Sequence, residues 1–234
     1  MTSSTSSPTP VVFIPALLCD GALYEGVIAA LGDSIEAHVM MSPKPTLDDS
    51  VASILAHAPE KFALVGTSYG GNLAMAVALA APHRVTALCL MGCDPAAQQD
   101  GRPDLPAGLE NTPDAVFDLL AGLVVHPNHS AGAATFKAMA QRVGGAAGAA
   151  QARALVSRAD LSAHLPRLTM PALVLWGADD ALVPVAVGQK LADGLPNASF
   201  QVIRDCGHLP SLEKSAETAT LIAGLLQQRA GQVD

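Results

Sequence analysis

One short stretch restricts the fold more than any other. Leu64-Val65-Gly66-Thr67-Ser68-Tyr69-Gly70-Gly71-Asn72 joins an apolar run at 62–65 to a second apolar run at 71–81 through the pattern G-x-S-x-G. The first run reads as a buried strand. The second is apolar on nearly every side and reads as a buried helix. A strand that turns into a helix within so few residues leaves little room beside the turn, and Gly66 and Gly70 meet that steric need. Ser68 is thereby lifted over the sheet edge at a helix N-terminus. Unpaired N–H groups and the positive end of the helix dipole favour developing negative charge there. Ser68 is the candidate nucleophile.

The rest of the chain alternates in the same way. Residues 11–14, 39–41, 85–91, 172–176 and 200–203 read as further strands. Helices are expected at 24–31, from Asp49 or Ser50 as cap to about residue 57, at 185–195 and at 215–229. Such alternation predicts a mostly parallel sheet with helices on both faces. The pattern breaks at 96–168, where no strand is expected. Thr112-Pro113 opens a helix there to about residue 124, and 131–143 and 149–158 read as two more, separated by Gly144-Gly145. The Gly/Ala-rich stretch 144–150 lacks a preceding strand and reads as a helix break, not a dinucleotide loop. The expected organisation is an α/β core at 11–95 and 169–234, a helical insertion at 96–168, and a disordered Ser/Thr/Pro lead-in at 1–10.

Composition narrows the function classes. Half of the 234 residues are apolar and 15 % are charged, which excludes a disordered chain. A net charge of −8 without a Lys/Arg cluster argues against nucleic acid and against an anionic membrane surface. The longest apolar run, 73–81, is about half of what a bilayer span needs. With no basic, apolar leader at the start, a cytoplasmic location is expected. Cys19, Cys89, Cys93 and Cys206 are too scattered for a disulfide scaffold and read as reduced thiols. No phosphate-binding loop follows a strand, so no cofactor is expected. The expected partner is a small-molecule substrate, and the oligomeric state stays open.

A serine hydroxyl needs a base, and the base an orienting acid. Four stretches carry a resemblance that supplies both. They are Phe13-Ile14-Pro15-Ala16-Leu17-Leu18-Cys19-Asp20, the turn around Ser68, Leu175-Trp176-Gly177-Ala178-Asp179-Asp180-Ala181-Leu182-Val183-Pro184, and Cys206-Gly207-His208-Leu209-Pro210. With these the chain resembles the α/β-hydrolase family, in the chain order Ser, Asp, His. The resemblance implies the α/β-hydrolase fold with a small helical cap and a Ser-Asp-His triad. It makes His208 the base and Asp180 the acid, with Asp179 and Asp94 as rivals. It takes the oxyanion-hole N–H groups from Tyr69 and Leu17. Ala16 stands where the family often has glycine, which leaves Leu18 as the other donor. The remaining histidines read as exposed or capping residues. His126 and His129 lack a third ligand, so no metal site is expected.

The expected activity is serine hydrolysis of a carboxylic ester, lactone or thioester of a small, mostly apolar molecule, as in a carboxylesterase. Phe117, Phe136 and Met139 are the candidate pocket residues. The same fold and triad also serve carbon–carbon bond hydrolysis, acyl transfer and cofactor-free oxygenation. A non-catalytic small-ligand-binding protein is the reading from another class. Retention of all three triad residues weighs against it.

Overall fold

The computed structural model describes residues 7–98 and 103–230. Strands β1 (Thr9–Ile14), β2 (Ile35–Val39), β3 (Phe62–Thr67), β4 (Val85–Met91), β5 (Ala172–Gly177) and β6 (Ala198–Ile203) form one sheet in the order β2-β1-β3-β4-β5-β6. Every neighbouring pair is parallel. The path runs outward from β1 to β2 and then back across to β3. The crevice at the C-terminal ends of β1 and β3 is therefore a topological switch point, the usual place for a ligand in such a sheet. Ile14 pairs with Gly66 there, which sets the segment after β1 beside Ser68.

Helices cover both faces, and the strands alternate between them. Val11, Phe13, Val65, Cys89 and Leu175 pack with Val27 of α1 (Glu25–Leu31) and Ile222 of α10 (Ser215–Ala230). Val12, Ile14, Leu64, Leu90 and Trp176 pack with Ile54 of α2 (Leu47–His57), Leu73 of α3 (Tyr69–Ala80) and Leu191 of α8 (Val185–Gly194). Burial on both faces is why the central strands read as unbroken apolar runs. The edge strand does not. In β2 only Ile35 is buried, and the strand lies at 35–39, not at the expected 39–41. Met40 still donates its N–H to Phe13 O, but the ladder ends before the proline turn.

Several boundaries differ from expectation for identifiable reasons. Of the lead-in at 1–10, residues 1–6 lie outside the described residues, and Thr9 and Pro10 belong to β1. Pro10, which has no N–H, sits where β3 has not yet joined; that pairing begins at Val11. Helix α2 is capped by Thr46, which accepts from Asp49 N–H at 3.1 Å, so Asp48 and Asp49 lie in its first turn, where the helix dipole favours them. Helix α3 begins at Tyr69, directly after Ser68.

Between β4 and β5 the described chain forms α4 (Leu105–Asn111), α5 (Pro113–Ala121), α6 (Ser130–Val143) and α7 (Gly145–Val156), then a 3₁₀ turn at Ser162–Arg167. Helix α4, which contains Pro106 and Gly108, was not expected; Asp104 caps it, accepting from Ala107 N–H at 3.0 Å. Thr112 holds the N-cap position of α5 with Pro113 as its first residue, in line with the sequence, but its hydroxyl makes no cap bond and donates instead to Gly108 O at 3.3 Å. The Gly/Ala-rich stretch is a break only at Gly144, with φ +80°; from Gly145 onward it is helical. A Cβ at Gly145 would overlap Leu109 O, and one at Gly148 would overlap the Leu18 side chain. These glycines let α7 pack closely, which outweighs a propensity cost of about 1 kcal/mol each.

All four cysteines are buried and unpaired. Among the described residues no helix is long and apolar enough to cross a membrane. A short helix, α9 (Pro210–Glu213), follows β6.

Candidate active site

Ser68 sits between β3 and α3 with φ +55° and ψ −117°, a conformation that costs a non-glycine residue of order 1–3 kcal/mol. The turn is tight enough that a Cβ at Gly66 would overlap Gly70 O, and one at Gly70 would overlap Ile14 O. Main-chain bonds hold it. Ser68 N–H donates to Met91 O at 2.7 Å, and Ser68 O accepts from Gly71 and Asn72 N–H. Below it, the buried Tyr24 hydroxyl donates to Ile14 O at 3.0 Å and shares a 2.8 Å bond with Thr67 Oγ1. Burial pushes that phenol well above its usual range. Ser68 Oγ donates to no protein acceptor among the described residues.

The imidazole of His208 is only 3 % exposed, and its Nδ1 lies 2.8 Å from Asp180 Oδ2. Asp180 Oδ1 accepts from the N–H groups of Leu182 and Val183, both at 2.9 Å, so the carboxylate is fixed before it meets the ring. Gly92, at φ +57°, lies against the ring; a Cβ there would stand 2.9 Å from His208 Cε1. The rival acids point elsewhere. Asp179 is exposed and faces His126 at 3.8 Å, and Asp94 accepts from Ala96 N–H at 3.0 Å.

Leu17 and Leu18 differ in their hydrogen bonding. Leu18 takes φ +62° and donates its N–H to Gln151 Oε1 of α7 at 3.1 Å. Leu17 lines the cavity, and neither its N–H nor that of Tyr69 has a protein acceptor among the described residues.

Ser68 and His208 open onto one cavity of about 260 Å³. Phe136, Leu105, Leu120, Val124 and Leu155 of the insertion form much of its wall, with Asp94, Gln98 and Arg158 adding polar groups. Of the three candidate pocket residues, Phe136 lines the cavity. Phe117 and Met139 are buried in the same apolar cluster as Phe136, but neither lines this cavity. A helix buries its apolar face against whatever adjoins it, so an apolar residue in the insertion need not reach the cavity.

His129 caps α6, accepting from Gly132 N–H at 3.0 Å, as expected of a capping residue. His126, however, does find acidic neighbours: Asp179 and Asp205 come together with it, their ligand atoms all within 4.8 Å. No sequence spacing shows this, because the three come from different loops. Gln151, Gly92 and Glu213, which support the site from outside, likewise carry no local sequence signal.

A profile of the alpha/beta hydrolase fold matches residues 45–215, a span containing Ser68, Asp180 and His208. The chain belongs to the alpha/beta hydrolase family. Among family members, it is 31 % identical to a 2-hydroxy-6-oxononadienedioate/2-hydroxy-6-oxononatrienedioate hydrolase of Paraburkholderia phymatum, over 72 % of this chain and 63 % of that protein. The chain spans under two thirds of the length of several such hydrolases. It is 25 % identical to a pimeloyl-(acyl-carrier protein) methyl ester esterase of Aliivibrio salmonicida, over 89 % and 88 % of the two chains. A solved alpha/beta hydrolase structure, an esterase from Thermogutta terrifontis, superposes with a TM-score of 0.84 at 22 % identity, covering 96 % of this chain and 92 % of that one.

Proposed function

We propose that this alpha/beta hydrolase cleaves a carboxylic ester, lactone or thioester of a small, mostly apolar molecule through an acyl-enzyme on Ser68. The observation that carries this reading is the single cavity shared by Ser68, strained on its turn, and a His208 already held by Asp180 at 2.8 Å. The bond to Asp180 keeps the proton on Nδ1 and leaves Nε2 as the base. Nε2 takes the Ser68 proton as Oγ attacks the carbonyl carbon. The N–H groups of Leu17 and Tyr69 receive the oxyanion. His208 then returns the proton to the leaving alcohol or thiol, and water, activated by the same imidazole, releases the acid. Residues 96–168 act as the cap that selects the substrate.

The methyl ester esterase, which aligns with this chain nearly end to end, supports the ester reading. Carbon–carbon bond hydrolysis is the second reading. It is favoured by the resemblance to oxononadienedioate hydrolases and by Arg158 and Gln98 in the cavity wall, which suit a more polar substrate.

A panel of aryl and methyl esters of graded acyl length, lactones, thioesters and a vinylogous 1,5-diketone acid tests the two. Turnover of the esters, labelling of Ser68 by a fluorophosphonate and no cleavage of the diketone are expected. The converse pattern would replace the first reading with the second. Phe136→Ala is expected to move the preferred acyl length while changing the rate on an acetyl ester by less than about threefold, since removing a buried aromatic enlarges the cavity and leaves the reacting groups in place. Equal loss on every substrate would remove the cap from substrate selection.

A further inference from the structure

We infer that Glu213 is a positioning residue for His208, and that its carboxylate also binds the base loop to the insertion. The inference rests on the reading of His208 as the base. Glu213 is the last residue of α9 and is 8 % exposed. Its Oε1 accepts from Gly207 N–H at 3.1 Å and from Leu209 N–H at 3.2 Å. Its Oε2 accepts from Gly207 N–H at 3.0 Å and from His126 N–H at 2.7 Å. One carboxylate thus holds the peptide groups on both sides of His208 and reaches the loop between α5 and α6.

The loop has few other ties. Residues 207–209 lie outside any strand or helix, so their buried N–H groups need acceptors from elsewhere. His208 N–H goes to Val124 O at 3.1 Å, and the other two go to Glu213. Packing confirms the constraint: a Cβ at Gly207 would stand 2.6 Å from His126 N. Asp180 fixes only the Nδ1 end of the ring. The distance from Nε2 to the Ser68 hydroxyl is set by the loop, and misplacement of a reacting group by 1 Å can cost about 10²-fold in rate. A carboxylate suits this duty because both oxygens accept. A glutamine amide has one accepting oxygen, so either way round its NH₂ opposes a peptide N–H.

The test compares Glu213→Gln, Glu213→Asp and His208→Ala with the parent on one minimal ester. Sites are counted by fluorophosphonate titration carried to completion, and folding is followed by thermal melting. The expected result is a fall of about 10- to 100-fold in kcat per titrated site for Glu213→Gln, with KM within about threefold. Glu213→Asp, which keeps two accepting oxygens on a shorter arm, should recover part of the loss. A kcat per titrated site within twofold of the parent in Glu213→Gln overturns the proposal, even if less folded protein is obtained. So does a rise in KM at constant kcat, which would place Glu213 with substrate binding. Undiminished turnover by His208→Ala would instead remove the underlying reading of the base.

Discussion

Ser68→Ala is expected to lower kcat on any ester by about 10⁴-fold or more, the usual cost of losing a triad nucleophile, with almost no change in melting temperature. The two halves of this expectation have separate origins. Activity falls because the only atom removed is the one that attacks. Stability is kept because Ser68 Oγ has no protein partner among the described residues, so no buried acceptor is orphaned. The strained φ of +55° is held by the main-chain bonds to Met91, Gly71 and Asn72, which alanine keeps. Steady-state kinetics and a thermal melt check both halves. A variant with a tenth of the parent rate would mean that Ser68 is not the nucleophile.

Asp180→Asn should cost about 10⁴-fold in kcat through a different route. The asparagine oxygen can still accept from Leu182 and Val183 N–H, where Asp180 Oδ1 accepts now. That choice turns its NH₂ toward His208 Nδ1 and makes Nδ1 an acceptor. The ring proton then moves to Nε2, and the imidazole faces Ser68 as a donor that cannot take a proton. The fold is untouched while the tautomer is wrong. Asp179→Asn, an exposed change facing His126, should leave kcat within about twofold, and Asp94→Asn, in the cavity wall but bonded to Ala96 N–H and not to His208, should cost far less in kcat than Asp180→Asn. An Asp94→Asn loss as large as that of Asp180→Asn would transfer the acid's role. The same steady-state assay measures all three.

The parts of the site that could be read from the residues are those where steric demand is local. Gly66, Gly70 and Gly177 stand where a Cβ would overlap main chain, so the turns declare themselves as short patterns in the sequence. The central strands declare themselves by burial on both faces. Edge strand β2 escapes that rule because only Ile35 faces the interior. Pocket residues escape for a related reason. Phe136, Phe117 and Met139 are all large apolar residues buried in one cluster, and only the packing of α5 and α6 sets the first at the cavity. Gly145 and Gly148 are the reverse example: a composition that suggests a helix break is instead what close packing of α7 requires. Glu213 is hidden for a third reason. Its bonds run to peptide groups, including one 87 positions away, and peptide N–H groups leave no mark in a sequence.

The buried cysteines give this chain an internal clock. Burial pushes all four thiols up, Cys89 to about 12, so at neutral pH the folded molecule offers a thiol reagent almost no thiolate. The speed at which each sulfur is labelled then reports how often its surroundings come apart, because reaction waits for opening. Cys89 lies in the middle of β4, so its labelling times the parting of the sheet. Cys206 directly precedes Gly207 and His208, so labelling of it faster than that of Cys89 times excursions of this loop. The ratio of the two rates separates local motion at the reacting groups from unfolding of the whole chain, without any substrate being present.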